Sequence, residues 1–464
     1  MPLRHLSTKH PPSTFWCLAA ASIAFGFAHA GEVEITLPAA LERVTSTDRT
    51  VALADSEVRK AITERLRVGL RLKPSISVDA YAGIRGGRTR MEVETLPDLI
   101  RERRWIHSDS NSESIGPNLS QPILDLTVKP AQRQSELLSA ISQWQLRQRL
   151  REVLFEVTAL YIEVLRQTQL VEENKKTLTQ TAEQVRFAEG RFAAQEVIES
   201  DVLQAKVSDE QARRAVMEAE VNRDLAMGRL AITLDYDPAT RFSLAPLEPG
   251  KALPSGAAAA IEIARQRREE VRVAQIALLR TQAGSDEIKA RYLPKVNLSA
   301  GADSSGGSDQ DRGNGWSAGL SVNWPIWDRG QRQLDLKING IQQKQDALRI
   351  ENSLKVIAAD VLDAWYAVDR QQRRIASLAA ERKAAEENYR LQQGKYAAGL
   401  ATALEVQTAL RDQARVRIEY VAATYSLETA LRDLQNVMAA YESPRIEAVL
   451  ARLAAPRIPK PNAK

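Results

Sequence analysis

Apolar and polar positions along this 464-residue chain fall into two kinds of pattern. The first is a helical stripe. Alternate steps of three and four from Val202 reach Ala205, Asp209, Ala212, Val216, Ala219, Arg223, Ala226 and Leu230; the same steps from Val406 reach Ala409, Gln413, Val416, Tyr420, Ala423, Leu427, Ala430 and Leu434. Sustained spacing of this kind predicts helices packed as coiled coils, with Ala permitting close approach. The second pattern has a period of two. Trp316, Ala318, Leu320, Val322 and Trp324 alternate with Ser317, Gly319, Ser321 and Asn323, and Ile76, Val78, Ala80 and Val296, Leu298, Ala300 open similar runs. These predict strands over about 74–84, 294–303 and 316–326, with a fourth over about 113–123 that Pro117 weakens.

Proline marks where the helices can run. There is none between Pro130 and Pro238, between Pro254 and Pro294, or between Pro325 and Pro444, and a helix interior excludes it. The stretch 331–393 contains only Gly340 as a further breaker; as one helix it would reach about 95 Å.

The chain also repeats itself. At an offset of 204, Glu183, Gly190, Ala193, Ala194, Val202, Ala205, Ala226 and Leu230 fall on Glu387, Gly394, Ala397, Ala398, Val406, Ala409, Ala430 and Leu434, while Phe192 falls on Tyr396 and Asp201 on Glu405. A repeat of this length predicts two copies of one unit, each running helix, strand, loop, strand, long helix, tight turn, helix. The copies are assigned to 31–234 and 257–442, joined by a Pro-rich linker at 235–256. Residues 443–464 are expected to form a disordered tail, since four prolines and several basic residues crowd that segment.

Residues 1–30 read as a secretory signal peptide: Arg4 and Lys9 precede an apolar run from Phe15 to Phe27, and Ala28-His29-Ala30 is a small-x-small cleavage site. Cleavage there removes the single Cys, Cys17, and three of the four His, leaving His107. Thiol nucleophiles, His-based triads and Cys/His metal sites are then disfavoured, and no Gly-Lys-Ser/Thr nucleotide loop is present. The reading is of a protein that is not an enzyme and uses no cofactor. Its 64 basic and 59 acidic residues are intermixed, so no basic patch for nucleic acid is predicted.

Aromatics at both ends of an alternating strand suit an outer-membrane barrel. Four strands cannot close one, and an open edge in lipid leaves backbone groups unsatisfied. Spanning strands therefore require an oligomer.

Here the chain resembles the TolC-like family of outer-membrane efflux and secretion channels. The resemblance is carried by Tyr396, Gly399 and Leu404-Glu405-Val406 at a helix-helix turn, by Tyr292-Leu293-Pro294 entering a strand, and by Trp324-Pro325-Ile326-Trp327-Asp328-Arg329-Gly330 leaving one. It implies a mainly α fold with transmembrane β: four strands per protomer in a trimeric twelve-stranded barrel, continued by a coiled-coil α-helical tunnel through the periplasm. It implies a passive exit duct of a tripartite system, for type I protein secretion or drug or metal efflux, with a periplasmic adaptor and an inner-membrane ABC or proton-driven exporter as partners. The resemblance puts the gate at the tunnel tip: Glu405 at an acidic ring, Thr408 where a second ring Asp is common, Tyr396 and Asp201 as a latch pair, and Ala401 where a latch Arg is often found. The turns at Phe192, Gln195 and Gly399 would dock the adaptor, and Trp316 and Trp324 would lie at the membrane interface. The other explanation for Asp201 and Glu405 is that acidic residues simply favour helix N-termini. The Arg-rich segment from Arg85 to Glu113 is expected to be an external loop. The alternative architecture is a periplasmic coiled-coil adaptor or other structural interaction protein, for which a single hairpin flanked by β-rich domains is expected.

Overall fold

A computed structural model describes residues 33–95, 100–247, 254–307 and 310–440. The proposed signal peptide, the tail from 443 and part of the linker lie outside them. In chain order the elements are β1 (Val33–Ile35), α1 (Leu37–Thr47), α2 (Arg49–Gly69), β2 (Ser75–Thr95), β3 (Ile100–Leu124), α3 (Val128–Ala193), α4 (Glu199–Thr233), β4 (Phe242–Leu244), α5 (Ala257–Arg267), α6 (Glu269–Ala290), β5 (Lys295–Gly307), β6 (Gln310–Asn323), α7 (Gln331–Ala397) and α8 (Ala403–Val437).

Two helices set the length. α3 has 66 residues and α7 has 67, each about 100 Å at 1.5 Å per residue. Near the sheet, α2 packs on α3, α3 on α6 and α6 on α7; farther along, α4 packs on α3, α3 on α8 and α8 on α7. The seams within each hairpin are the stripes read from the sequence. On α4, Val202, Ala205, Ala212, Val216, Ala219, Ala226 and Leu230 are buried, and only Arg223 of the series is charged without being buried. Two of the polar interruptions, Asp209 and Gln413, are buried as well. Asp209 accepts hydrogen bonds from Thr181 Oγ1 and Arg213 Nε, both at 2.9 Å, whereas the side-chain oxygen of buried Gln413 has no partner.

A belt at mid-length broadens the rod. β1 and β4 pair in parallel, and Tyr161 on α3 donates its hydroxyl to the Ala245 carbonyl at 2.7 Å within a core of Val44, Leu150, Leu154, Leu230 and Phe242. The second repeat has its own core, from Ala260 and Ala264 on α5 to Ile357, Val361 and Leu434. The two are joined by charge: Arg151 on α3, 9% exposed, reaches Glu269 at 3.0 Å and Glu270 at 3.1 Å on α6, and the Asn436 carbonyl on α8 at 3.1 Å.

The four long strands form one antiparallel sheet of order β2-β3-β5-β6. Among the described residues it does not close: β2 and β6 are both edges. The strands differ from the expected spans. β6 stops at Asn323, leaving Trp324, Pro325 and Ile326 beyond it, since Pro325 offers no N–H to continue the ladder. Of the segment from Arg85 to Glu113, expected to be a loop, residues 85–95 and 100–113 are strand. β2 and β3 stay in register from Ser75↔Ser120 to Thr95↔Ile100, so the hairpin continues well past the shorter β5 and β6. Along this extension Glu92 stands opposite Arg103 and Glu94 opposite Arg101 in the register. Pro117 sits inside β3 opposite Val78; the β3–β5 pairing simply skips from Ile115↔Ser304 to Asn118↔Gly301.

Candidate functional site: the paired hairpin tips

The ends of α3/α4 and α7/α8 are built alike. In the first tip Ala194 N donates to Gly190 O, Gln195 N to Phe192 O and Glu196 N to Arg191 O; in the second Ala398 N donates to Gly394 O, Gly399 N to Tyr396 O and Leu400 N to Lys395 O. Both are left-handed caps that satisfy the last carbonyls of a helix. Gly399 takes the left-handed position at φ +73° without a Cβ to clash, while Gln195 takes it at φ +61° against the usual preference.

The helices that leave these turns start differently. Thr402 caps α8: Glu405 N donates to Thr402 Oγ1 at 3.4 Å and Thr402 N to Glu405 Oε2 at 2.7 Å, a reciprocal capping box. The backbone N–H and hydroxyl of Thr402 hold the Glu405 carboxyl below the usual carboxylate range. α4 has Ile198 at the equivalent place and no side-chain cap, so Asp201 lacks this tether. Thr408 turns its hydroxyl back to the Leu404 carbonyl at 2.8 Å.

Tyr396 is the point where the two tips meet. It is 5% exposed; its ring lies edge-on to Phe187 at 5.7 Å and under the Arg191 guanidinium at 4.9 Å. Arg191 Nη1 also donates to the Tyr396 carbonyl at 2.9 Å, and its Nε to Glu196 at 3.0 Å. The Tyr396 hydroxyl is buried and makes no hydrogen bond of normal geometry among the described residues. Burial raises its pKa; the Arg191 charge and the approach of its guanidinium N–H to the hydroxyl oppose this, and the charge of Asp201 adds to it. Asp201 is thus close enough to be felt electrostatically, yet no hydrogen bond joins it to Tyr396.

The structure brings Tyr396, Asp201, Phe192, Gln195, Gly399, Glu405 and Thr408 to one end of the helices. Trp316, on β6, and Trp324, just past it, belong to the other end, about one α7 length away, and stand 82% and 59% exposed. Sequence reasoning did not single out Arg191 as part of the site, or the apolar side chains that the tips expose, Ile198 and Leu400 beside Phe192 and Leu404. A signal for Arg191 was available: Glu173, Thr177, Gln180, Gln184, Phe187 and Arg191 recur at steps of four and three.

Comparison with known proteins bears on this geometry. Residues 260–440 match the family of outer membrane efflux proteins. The chain is 24% identical over 401 residues to outer membrane efflux protein BepC of Brucella suis, covering 83% of this chain and 84% of that one. In fold it is similar to the outer-membrane channel OprN, with a TM-score of 0.70 at 21% identity over 87% of this chain and 89% of that one. It is likewise similar to the Campylobacter jejuni CmeC outer membrane channel, with a TM-score of 0.71 at 14% identity over 96% and 97% of the two chains. Residues 260–440 thus match outer membrane efflux proteins in sequence, and over most of its length the chain shares the fold of the solved outer-membrane channels.

Proposed function

We propose that this protein is the outer-membrane channel-tunnel of a tripartite export system, a passive duct rather than a catalyst, in which three copies join their sheets into one barrel and their helices into a periplasmic tunnel. The observation that carries this reading is the four-stranded sheet with two unpaired edges. Its outward side chains include Ile76, Val78, Leu320 and Val322, all more than half exposed, and it stands at one end of helices about 100 Å long. Among the described residues no helix is long and apolar enough to cross a membrane. A sheet in lipid has to pair every backbone group, which further copies of the same sheet accomplish. Domain limits follow the same reading: an exported chain with a leader at 1–30 and two channel repeats.

At the far end, the tips form the periplasmic mouth, and their exposed Phe192, Ile198, Leu400 and Leu404 supply the apolar contact for a periplasmic adaptor coupled to an inner-membrane pump. Glu405 faces the mouth. Its cap uses Oε2, which leaves Oε1 of each copy to attract cations. The cargo, whether secreted protein or small drug or metal, is set by which pump stands beneath the duct.

Fractionation and planar-bilayer recording test the proposal together. Heat-sensitive trimers in the outer membrane that conduct ions are expected, with weaker cation selectivity and divalent-cation block in Glu405→Ala. A soluble periplasmic monomer overturns the channel; unchanged selectivity and block in Glu405→Ala overturn the role of Glu405 alone.

A further inference from the structure

The seam between the two hairpins differs from the seams inside them. Within each hairpin the buried contacts are mainly apolar, as in the cluster of Ala188, Val202 and Ala205 or that of Leu378, Val416 and Ala423, with Thr181–Asp209 as a polar exception. Between hairpins they are polar and aromatic, and they follow the four-three stripe on α3. Arg417 on α8 approaches Glu173 at 3.9 Å and donates to Thr177 at 3.1 Å and Gln180 at 2.9 Å. Gln184 donates to the Tyr389 hydroxyl at 3.3 Å, Phe187 packs on the Tyr396 ring, and Arg191 ends the series at the mouth.

That last contact is directional. The Arg191 side chain, 17% exposed, is fixed on one side by Glu196 of its own turn and on the other grips the second hairpin twice, through the Tyr396 carbonyl and through the face of its ring. A planar guanidinium suits such a forked hold, and a Lys ammonium does not reproduce it. The Tyr396 hydroxyl, by contrast, is buried and makes no hydrogen bond of normal geometry among the described residues.

We propose that Arg191 is the positioning residue that holds the periplasmic mouth at its resting width, by clamping the main chain and ring of Tyr396, and that the Tyr396 hydroxyl takes no part in this hold. The inference rests on the channel reading above. It departs from the hydroxyl–carboxylate latch with Asp201 that family resemblance implies, and moves the hold to a side chain of the first hairpin.

The test uses the full chain reconstituted in planar bilayers, with hydrogen exchange of the backbone amides at 396–402 measured in parallel. Arg191→Ala and Tyr396→Ala are expected to shift the closed-to-open ratio about tenfold toward open, equivalent to about 1.4 kcal/mol, and to speed exchange at the second tip. Arg191→Lys restores part of the closed population. Tyr396→Phe behaves as the unmodified protein in both measurements, because carbonyl and ring remain. Arg373→Ala, which breaks an exposed pair with Asp369 on α7, is the control for loss of a surface charge. Opening by Tyr396→Phe together with silence of Arg191→Ala overturns the clamp in favour of a hydroxyl latch. Exchange at 396–402 that Arg191→Ala leaves unchanged overturns it without reference to conduction. If the unmodified chain does not conduct while the exchange pattern holds, the channel reading fails and the gating role with it, leaving Arg191 as a link between hairpins only.

Discussion

Replacing Arg151 by Met removes the charge that links the two repeats, and the cost can be worked out from its contacts. Arg151 Nε lies 3.0 Å from Glu269 and Nη2 3.1 Å from Glu270, while Nη1 donates to the carbonyl and side-chain oxygens of Asn436. The two carboxylates are not left in equal positions. Glu270 retains Arg268 at 2.8 Å, whereas Glu269, whose side chain is 12% exposed, loses its ion-pair partner. Removing one member of a buried pair costs about 3–5 kcal/mol because the other charge stays desolvated; with one carboxylate orphaned, the lower end of that range applies, about 3 kcal/mol. Converting both partners, Arg151→Met with Glu269→Leu, should recover most of the loss, since well-packed apolar pairs match buried ion pairs in stability. Guanidinium titration in detergent, followed by far-UV circular dichroism, measures Arg151→Met, Glu269→Leu and the double variant. A cost below about 1 kcal/mol for Arg151→Met, or additivity of the two changes within about 0.5 kcal/mol, refutes the reasoning. The pH profile gives a second check. Burial raises the Glu270 pKa, but the hydrogen bonds from Arg268 and the charges of Arg268 and Arg151 outweigh it, and the group sits below its ordinary value of 4.5. Its contribution is therefore complete above about pH 4.5 and lost as pH falls through the lower folded value, so Arg151→Met should show a shallower acid limb.

Three further outcomes are expected. Gln195→Gly relieves a left-handed backbone in the first tip and should stabilise that turn by about 1 kcal/mol, read as slower hydrogen exchange at 192–198; faster exchange there counts against the strain. Thr402→Ala opens the capping box of α8 and should cost about 1 kcal/mol locally, seen as fraying of amides at 403–406, while Ile198→Ala, at a start with no side-chain cap, leaves α4 amides unchanged. Brominated lipids should quench the fluorescence of Trp316 and Trp324; chains with only Trp144 or Trp365 retained, both on helices far from the strands, should stay bright, and equal quenching of the two sets refutes the assignment of the strand end to the membrane.

How much of this was legible in the sequence depends on the range of the interaction. The α4 and α8 stripes were readable because a four-three spacing turns one helix face toward its neighbour whatever lies further away. The Thr402-x-x-Glu405 box was readable for the same reason, being closed within one turn. The strand limits were less so: alternation fails over Arg85–Glu113, where Ser, Gly and charged residues dominate, and cross-strand pairing keeps residues 85–95 and 100–113 extended. Arg191 closes a four-three series on α3 that the sequence shows, but what that series meets emerges only when Tyr396, 205 positions away, is placed beneath it.

The sequence by itself determined the units: two repeats, long helices bounded by proline, four alternating strands and a tip turned by Gly399. Local periodicity and backbone sterics suffice for these, because each arises from residues close together along the chain. Only the tertiary structure decided how the units meet. It decided that the hairpins are joined by a polar seam ending in an arginine, that the Tyr396 hydroxyl meets no partner of normal hydrogen-bond geometry among the described residues, and that the sheet of the described residues keeps two open edges. Each of these depends on which distant side chain or strand comes within hydrogen-bonding distance, and no local pattern encodes that.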